Sequence, residues 1–513
     1  MMSFCEPIAG QPIKMKTTRI CIVGGGTAGW MAANLFAARW SDKPIEILLL
    51  ESPDVGIVGV GEGSTPTLKR FFQLLGIAES EWMSRCNATY KVNIKFTGWS
   101  PQSGIDQYSH PFISQIDTFS QRAFFVNCRT RRLGLATHTN PADFLINGVL
   151  AQQNKGPLTP ENFPFRMEYG YHFDSYLLGE FLAQHAKKLG VIHQQALICG
   201  VEKHANGDIK HLVSKDAGNI AADWFVDCSG FSSLLMQQAL GVKFKSYKDN
   251  LFNDAAVVMP TDISTNIPVE TTATAIANGW CWKIPLTNRY GNGYVYSSDF
   301  IDSNQAEKEF RQHLNMSDSE QPCRHLKMKV GCLENHWQNN CIGLGLAQGF
   351  IEPLEATALH LVQICAEMFM DDFSDGHFSQ QRQSQYNQKV TERFERVRDY
   401  IVAHYKLNTR NDSDYWRANR ANTHISDSLS QLLDVWYRRE DLEQEIARQN
   451  LESHFGTVSW HCLLAGYGAF PRLADKQPGT GDLYKEQNIQ HFLQGCALNF
   501  NLHQQNLIPR LSP

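Results

Sequence analysis

The sequence lacks the long uniform segments that mark membrane and nucleic-acid-binding proteins. No uncharged apolar stretch reaches the roughly 18 residues that a membrane-spanning helix needs. Basic residues number 47 against 52 acidic ones, the net charge is −5, and there is no long basic run. We therefore expect neither a membrane nor a nucleic acid as a partner. Internal repeats and low-complexity linkers are also missing, and the 42% of hydrophobic residues is typical of a globular protein.

The 13 cysteines form no CxxC pair and no cluster with histidine. This spacing predicts that the chain has no metal site. Residues 1–16 lack the apolar centre of a secretory leader. The odd number of cysteines and the missing leader favour reduced thiols and a cytoplasmic location.

A glycine-rich turn near the start of the chain predicts a dinucleotide-binding unit. An apolar strand at residues 18–23 leads into Gly24-Gly25-Gly26-Thr27-Ala28-Gly29, and an apolar helix follows. In such turns one glycine makes the bend, the next lets the backbone approach a pyrophosphate, and the last lets the helix pack on the strand. The helix N-terminus would bind the phosphates through free N–H groups. Glu51, at the end of the next strand, is placed to accept the ribose hydroxyls and argues against NADP.

The turn alone leaves NAD and FAD open. Residues 227–230 and 345–353 favour FAD, because flavoproteins with one cofactor use distant strands to hold the long ligand. The predicted fold class is α/β, with a Rossmann-like FAD-binding domain of the GR2 or hydroxylase type, β-sheet insertions and a mostly helical C-terminal part. We predict a discontinuous core over residues 1–375, with substrate-facing insertions at about 81–170 and 260–330, and a helical substrate-side region over 376–513.

Several segments carry a resemblance to one enzyme family. Residues 279–285 read Gly-Trp-Cys-Trp-Lys-Ile-Pro, which matches the WxWxIP motif of flavin-dependent halogenases. Further segments that agree with the family in order lie at residues 59–66, 89–96, 350–358 and 414–420. From about residue 18 to 470 the chain thus resembles the two-component, FADH2-dependent halogenases of the tryptophan halogenase type.

The resemblance implies an oxidoreductase that halogenates an electron-rich aromatic ring, either an indole, a tryptophan-like compound or a phenol. The cofactor would be FAD as FADH2, with oxygen and a halide (chloride, bromide or iodide) as co-substrates that give hypohalous acid. Since we find no second dinucleotide site, a separate NAD(P)H-dependent flavin reductase would supply FADH2. A homodimer is compatible with this reading. A flavin-dependent aromatic monooxygenase (hydroxylase) and an inactive FAD-binding protein are the alternatives.

The resemblance assigns the catalytic roles to Lys91 and Glu355. Lys91 would activate the oxidised halogen by a hydrogen bond or as a haloamine, and Glu355 would stabilise the cationic arene and take its proton. Alternation along one extended strand puts Lys91 and Lys95 on the same face, so the pattern leaves both lysines open and is also typical of a solvated face. Either Glu355 or Glu352 could instead cap the helix that begins near Ala356.

The same resemblance makes Trp280 and Trp282 a barrier between flavin and substrate, although two such side chains are also typical of a core. Thr357 and Ala358, at a helix start, would bind the halide. Here the chain departs from better-known members, with Ala356 where serine is usual and Ala358 where glycine is usual. The departure leaves the identity of the halide open.

The substrate pocket is predicted at His110, Phe112 and His404, and for both histidines a structural role is an equal alternative. The clamp that holds free tryptophan in some members is missing, and residues 441–445 and 452–455 stand in its place. An open site for indoles or phenols is therefore expected as much as a tryptophan site. The predicted flavin contacts are Gly24, Gly26, Thr27, Ala28, Gly29, Glu51, Gly63, Leu346 and Leu359.

Overall fold

The structure is a computed structural model that describes residues 17–52 and 61–511. Residues 1–16, which lack the features of a secretory leader, and the first two residues of the 59–66 segment lie outside the described residues. The strands, in chain order, are β1 (Thr18–Val23), β2 (Ile45–Glu51), β3 (Glu62–Gly63), β4 (Thr89–Lys91), β5 (Asn93–Ser100), β6 (Ile105–Pro111), β7 (Gly170–Phe173), β8 (Ile192–Gln195), β9 (Ile198–Lys203), β10 (Ile209–Ser214), β11 (Gly218–Ala221), β12 (Trp224–Asp227), β13 (Phe244–Ser246), β14 (Ala255–Thr261), β15 (Glu270–Ile276), β16 (Gly279–Pro285), β17 (Tyr290–Tyr296), β18 (Arg324–Lys327), β19 (Gly331–Leu333), β20 (Trp337–Gln338), β21 (Cys341–Gly343) and β22 (Gly349–Phe350). The α-helices are α1 (Thr27–Arg39), α2 (Thr67–Leu74), α3 (Glu79–Trp82), α4 (Gln121–Arg132), α5 (Ile146–Gln152), α6 (Ser175–Lys188), α7 (Ser303–His313), α8 (Ala358–Asp375), α9 (Gln383–Leu407), α10 (Asp414–Ala421), α11 (Asp427–Tyr437), α12 (Leu442–Arg448), α13 (Thr457–Gly466), α14 (Leu483–Glu486), α15 (Ile489–Ala497) and α16 (His503–Leu511).

A six-stranded sheet with the order β20-β21-β12-β1-β2-β8 contains the strand that leads into the glycine-rich turn. β1 pairs in parallel with β2 and β12, and β8 and β21 extend the parallel pairing on either side. Parallel strands are usually buried on both faces, which explains why four consecutive residues of β1 (20–23) and of β2 (47–50) are apolar and buried. α1 contacts both α6 and α8, and Asn34 on α1 donates a 2.9 Å hydrogen bond to the carbonyl of Leu182 on α6. The predicted Rossmann-like α/β fold class is confirmed.

A seven-stranded sheet, β18-β14-β17-β16-β15-β5-β6, combines the two predicted insertions. β5 and β6 come from the first insertion, and β14 to β18 come from the region of the second. The two parts are joined by parallel pairing of β5 with β15, while the other neighbours are antiparallel. This join brings the residues near position 95 and the WxWxIP strand β16 onto one sheet.

The single strand predicted over residues 89–96 is wrong, because the chain there belongs to two sheets. β4 pairs with β7 in a small sheet with the order β3-β7-β4, whereas β5 belongs to the seven-stranded sheet. Val92 lies between the two strands and donates its backbone N–H to the carbonyl of Val269. Lys91 and Lys95 therefore do not share a sheet face, and the alternation argument does not apply to them.

The chain after residue 376 is mostly helical, as predicted. α9 is the longest of these helices with 25 residues, and it contacts α8, α10 and α11. Among the described residues, no helix combines the length and the apolar character that a membrane span would require. The 12 cysteines in the described part of the chain are free thiols. The division near residue 375 into a core and a substrate-side region stays a prediction.

Candidate active site

The turn between β1 and α1 is shaped by close backbone contacts. Gly24 has a φ of +121°, and a Cβ there would lie 2.2 Å from the carbonyl oxygen of Cys228. Gly29 packs on Gly24, where an added Cβ would lie 1.9 Å from the carbonyl oxygen. Gly26 instead has no described atom within 4 Å of the position that its Cβ would take, and no side chain of the described residues caps the N-terminus of α1. An open approach to free N–H groups fits a pyrophosphate.

Two remote segments meet at this turn. Glu51 ends β2 and accepts a 2.9 Å hydrogen bond from His193 Nε2. Gly345 approaches the first turn of α1, since a Cβ at this position would lie 2.7 Å from that of Ala28. A long ligand can bind to two stretches that are distant in the chain only where the fold brings those stretches close together. Three of the predicted flavin contacts lie in the following segments: Thr27 on α1, Leu346 just after Gly345, and Leu359 on α8. Their contact with flavin stays a prediction.

The two indoles of the WxWxIP segment lie on one face of β16. Trp282 stands opposite Gly293 on β17, and its ring covers that glycine so closely that a Cβ there would lie 2.1 Å from the indole. Trp280 donates from Nε1 to Glu352 Oε2 at 3.2 Å. The ring centres are 6.1 Å apart, and both side chains are buried. Burial is compatible with a core role and with a barrier role, so the barrier stays a prediction.

We expect Gly293→Ala to displace Trp282 and to destabilise the protein by about 1–3 kcal/mol, the usual cost of overpacking. The added methyl group would overlap the Trp282 indole, which packs over Gly293. Urea unfolding measures the loss of stability, and tryptophan fluorescence reports the displaced ring. Gly200→Ala on β9 is the matched control, because its Cβ would meet Val213 at an ordinary 3.5 Å. An equal loss in both variants would contradict the explanation.

Lys91 presents a buried amine that has no hydrogen-bond partner among the described residues. The residue is 0% exposed, and no acceptor in residues 17–52 and 61–511 lies within hydrogen-bond distance of its Nζ. Nζ lies 5.4 Å from the centre of the Phe112 ring and 3.1 Å from the position that a Cβ on Gly63 would take. Burial lowers the pKa of Lys91 to about 7, although the charge of Glu355 acts in the opposite direction. An amine of this kind is suited to nucleophilic or hydrogen-bonding chemistry at neutral pH.

The neighbouring lysine, Lys95, differs from Lys91 both in its exposure and in having a partner. Lys95 forms an ion pair with Glu270, and its side chain is 34% exposed. Its charge is therefore compensated and partly hydrated. Of the two lysines that the sequence pattern left open, Lys91 has the surroundings of a reactive amine.

His172, which the sequence did not single out, belongs to a fixed chain of hydrogen bonds. It lies on β7 opposite Thr89. The Thr89 hydroxyl donates to the carbonyl of Pro285 at 2.7 Å, so its oxygen accepts from His172 Nδ1 at 2.9 Å. Nε2 of the neutral ring then accepts from the hydroxyl of Thr271, also at 2.9 Å. The chain selects one tautomer of a neutral imidazole.

This neutral histidine lies beside Lys91. Lys91 Nζ, Thr271 Oγ1 and His172 Cδ2 all lie within 3.6 Å of the position that a Cβ on Gly63 would take. Burial and the charge of Lys91 lower the pKa of His172 well below its usual range. The ring therefore adds no positive charge to the surroundings of the amine. A lone histidine in a short strand carries no sequence signal for such a role, which only the contacts reveal.

Two histidines hold the carboxylate of Glu355. His110 Nδ1 donates to Oε2 at 3.0 Å, and His404 Nε2 donates to Oε1 at 3.0 Å. Burial raises the pKa of Glu355, but the charge and hydrogen bonds of the two histidines outweigh burial and lower the pKa to about 2. The carboxylate is therefore ionised and fixed in orientation at neutral pH.

The outer nitrogens of both histidines are also occupied. His110 Nε2 lies 3.0 Å from Ser459 Oγ, and His404 Nδ1 lies 3.1 Å and 3.2 Å from the hydroxyls of Tyr108 and Tyr467. Both rings are buried. These contacts give the histidines a structural role as supports of Glu355, and their contact with a substrate stays a prediction.

The alternative that an acid caps α8 is wrong. Glu352 accepts hydrogen bonds from Trp280, Asn253 and Tyr405, and no side chain caps α8. Thr357 takes the N-cap position instead, and within the described ranges its buried hydroxyl has no partner. Uncapped N–H groups beside a free hydroxyl are chemically suited to an anion. Halide binding by Thr357 and Ala358 stays a prediction.

The predicted site residues thus form two groups. Lys91, Phe112 and Gly63 meet around one amine, and Glu355 lies with His110 and His404. The groups interact, since the charge of Glu355 acts on the pKa of Lys91. The arrangement offers an amine near neutrality and an oriented carboxylate, both withdrawn from bulk water.

The chain is similar to known proteins over most of its length. The family model described as tryptophan halogenase matches residues 19–480. The chain is 35% identical over 440 residues to the tryptophan 6-halogenase SttH of Streptomyces toxytricini, with 82% of this chain and 83% of the relative covered. The crystal structure of a tryptophan halogenase from Shewanella frigidimarina has a TM-score of 0.84 at 30% identity and covers 96% of this chain and 97% of its own. A flavin-dependent halogenase from Xanthomonas campestris, Xcc4156, has a TM-score of 0.82 at 30% identity, with 96% and 98% covered.

The fold and the site define a flavin-dependent halogenase, an enzyme that halogenates aromatic compounds. Within that class, the chain belongs to the tryptophan halogenase family, whose model spans most of its length. Dependence on flavin implies FAD as the cofactor, and the family implies an aromatic substrate.

Proposed function

We propose that this enzyme halogenates an electron-rich ring by way of hypohalous acid, with Lys91 and Glu355 directing the electrophile. The observation that carries the proposal is the buried amine of Lys91, which has no partner in the part of the chain that the structure describes. This amine is under the influence of an ionised and oriented carboxylate, Glu355. An electrophilic halogen needs a group that activates it and an anion that stabilises the cation it produces. A hydroxylase needs neither group.

The residues around the β1–α1 turn fit FAD, because Gly26 leaves the approach to the uncapped start of α1 open. Bound there in its reduced form, FAD would supply, together with oxygen, the two-electron oxidation of a halide ion to hypohalous acid. The Thr357 hydroxyl and the first N–H groups of α8 are proposed to hold the halide.

Lys91 is proposed to bind hypohalous acid through Nζ. With a pKa of about 7, the side chain populates both its ammonium and its amine form near neutral pH. The ammonium form would polarise the oxygen–halogen bond by donating a hydrogen bond, whereas the amine form would take up the halogen with loss of water. The neutral ring of His172 keeps both forms accessible, because it adds no competing charge.

Glu355 is proposed to stabilise the cationic ring that forms when the arene takes the halogen, and then to accept its proton. A carboxylate with a pKa of about 2 is a weak base, but a protonated halogenated ring is a far stronger acid than a carboxylic acid. Transfer of this proton to Glu355 is therefore downhill. His110 and His404 keep the carboxylate oriented during the transfer.

We favour indoles and phenols as substrates over free tryptophan. Phe112, partly exposed beside Lys91, is proposed to stack on the ring. The acids that replace the tryptophan clamp are engaged elsewhere in the protein: Asp441 caps α12, Glu445 pairs with Arg448, and Glu452 accepts from Thr457. These acids are therefore not free to bind the ammonium group of an amino acid.

A single assay distinguishes the proposed reaction from its alternatives. The enzyme is supplied with FAD, a separate flavin reductase, NADH and bromide, and then with indole, a phenol or tryptophan. We expect a product whose mass spectrum has the bromine isotope pattern, formed faster from indole or the phenol, and no product without the reductase. A gain of one oxygen that persists without halide would instead identify a hydroxylase. No product from any ring would identify an inactive flavin-binding protein.

A further inference from the structure

The C-terminal helix α16 carries a buried histidine that joins two other parts of the chain. His503, the first residue of α16, is 0% exposed and lies beyond residues 19–480, which the family model matches. Its Nδ1 donates to the carbonyl of Ile267 at 2.9 Å, and its Nε2 accepts from the backbone N–H of Tyr90 at 3.2 Å. These bonds fix one tautomer of a neutral ring, and burial lowers its pKa to about 4. The imidazole therefore bridges β4 and the segment before β15.

The bridge lies at the outer edge of the strand that carries Lys91. β4 stands at one end of the sheet order β3-β7-β4, so its outer backbone groups need partners from outside that sheet. The backbone N–H groups on either side of Lys91 belong to Tyr90 and Val92. Val92 donates to the carbonyl of Val269 at 3.0 Å, and Tyr90 donates to His503. The imidazole thus completes, through a side chain, the edge contact that Val269 makes directly.

The start of α16 is itself fixed to the body of the protein, as a support must be. The backbone N–H of His503 donates to the carbonyl of Asn154 at 2.9 Å. The Asn154 side chain binds the same segment as the imidazole, since its Nδ2 donates to the carbonyl of Ile267 and its Oδ1 accepts from the N–H of Val269, both at 3.1 Å. The helix start, Asn154 and the 267–269 segment therefore form one frame against which β4 is held.

These edge bonds matter for Lys91 because no hydrogen bond from the described residues holds its amine. Packing and the backbone of residues 90–92 therefore determine where Nζ lies. The charged or titratable groups that act on this buried amine are Glu355 and the neutral His172. Loss of the bond to Tyr90 would leave a buried N–H without its acceptor, so the strand would move or admit water.

We propose that His503 is a positioning residue for halogenation, which holds the amine of Lys91 in place by accepting the N–H of Tyr90. Helix α16 thus supports the active site from the far end of the chain. The influence of His503 on the rate rests on the proposed role of Lys91, whereas its hold on the lysine rests on the contacts alone.

Two substitutions at position 503 separate the bond to Tyr90 from the bond to Ile267. His503→Gln can place an amide oxygen where Nε2 lies and keep the acceptor for Tyr90. His503→Asn is shorter, so it can place an amide N–H where Nδ1 lies and keep the donor for Ile267, but it does not reach Tyr90. The exchange of a buried ring for an amide is common to both variants, which makes each the control for the other.

The titration of Lys91 is the first readout, because it does not require an active enzyme. In protein that carries isotope-labelled lysine, the NMR resonance that Lys91→Met lacks identifies Lys91. We expect its midpoint to rise by at least about one pH unit in His503→Asn, because water reaches the amine and stabilises its charged form. In His503→Gln the midpoint should stay within about 0.3 pH units of the wild type.

Halogenation of indole, with bromide, FAD and a flavin reductase, is the second readout. The rate should fall about 10-fold or more in His503→Asn and less than about threefold in His503→Gln, because a displaced reactive group slows the reaction. The pH profile of the rate should move with the Lys91 midpoint in the asparagine variant. Reduced stability alone would lower the amount of active enzyme without moving this profile.

An unchanged Lys91 midpoint in folded His503→Asn would overturn the inference, whatever the rate of that variant. Equal changes in the asparagine and glutamine variants would also overturn it, since glutamine keeps the acceptor for Tyr90. If His503→Asn does not fold, His503→Ala takes its place, because removal of the ring leaves room for a water molecule beside Tyr90. A shifted midpoint in an enzyme that halogenates no ring would refute the proposed function and leave the support by His503 intact.

Discussion

Lys91→Met should lower the rate of halogenation by at least about 100-fold, in the range that removal of a group acting directly on the reaction usually costs. Methionine fills a similar volume and suits a buried site, but it offers neither an N–H donor nor an amine. Because Lys91 is not part of the β1–α1 turn, FAD binding and reductase-dependent consumption of NADH should stay near the wild-type level. Product formation is followed by chromatography, and FAD binding by the quenching of flavin fluorescence.

Lys95→Met is the control, since it removes a lysine four residues further along that is partly exposed and forms an ion pair with Glu270. This variant should keep most of the activity. Loss of activity in Lys95→Met with full activity in Lys91→Met would show that the wrong lysine has been assigned.

The difference in stability between the wild type and the Lys91→Met variant should depend on pH, and this dependence checks whether Lys91 is buried. In the folded protein, burial lowers the pKa of Lys91 from 10.5 to about 7. Between these values the unfolded chain binds more protons than the folded one, so the stability of the wild type rises with pH. Relative to Lys91→Met, it should rise by up to about 1.4 kcal/mol per pH unit between pH 7 and 10.5 and stay level below pH 7. A flat difference would show that Lys91 is hydrated.

Glu355→Gln should have the second-largest effect, a fall in the rate of about 100-fold or more. The amide keeps the shape of the side chain, but it has no charge to stabilise a cationic ring and is a very poor proton acceptor. It also places an N–H group opposite His110 or His404, whose nitrogens donate to the carboxylate in the wild type. Rates measured with a ring of high and a ring of low reactivity should diverge, because the reactive ring needs less stabilisation.

Asp371→Asn is the matched control for this change. Asp371 lies on the same helix, α8, but is exposed and pairs with Arg39. Its substitution should leave the rate unchanged. A wild-type rate in Glu355→Gln would assign Glu355 to the support of the fold alone.

Much of the fold followed from local sequence features. The β1–α1 turn could be predicted because glycine is needed wherever a Cβ would meet backbone, as Gly24 and Gly29 show. The WxWxIP strand could be placed by its resemblance, but its partner Gly293 could not, because that contact depends on the register of β16 against β17. No local feature of the sequence indicates that the two insertions, which are far apart in the chain, join into one sheet.

The choice between the lysines shows the same limit. Alternation assumes that a strand continues in one sheet, and the chain changes sheets at Val92. This change explains why Lys91 is buried with no partner among the described residues, while Lys95, four residues later, is partly exposed and paired. Resemblance had selected Lys91, but the physical difference between the two lysines is tertiary.

By itself, the sequence determined the dinucleotide turn, the α/β class and the halogenase family, because each depends on residues close together in the chain or on motifs in order. The tertiary structure alone decided the surroundings of the reactive groups. His172 reaches Lys91 through paired strands, and His110 and His404 meet Glu355 from positions 245 and 49 residues away. Burial, charge and hydrogen bonding set the pKa values of these groups, and all three arise only when distant segments of the chain pack together.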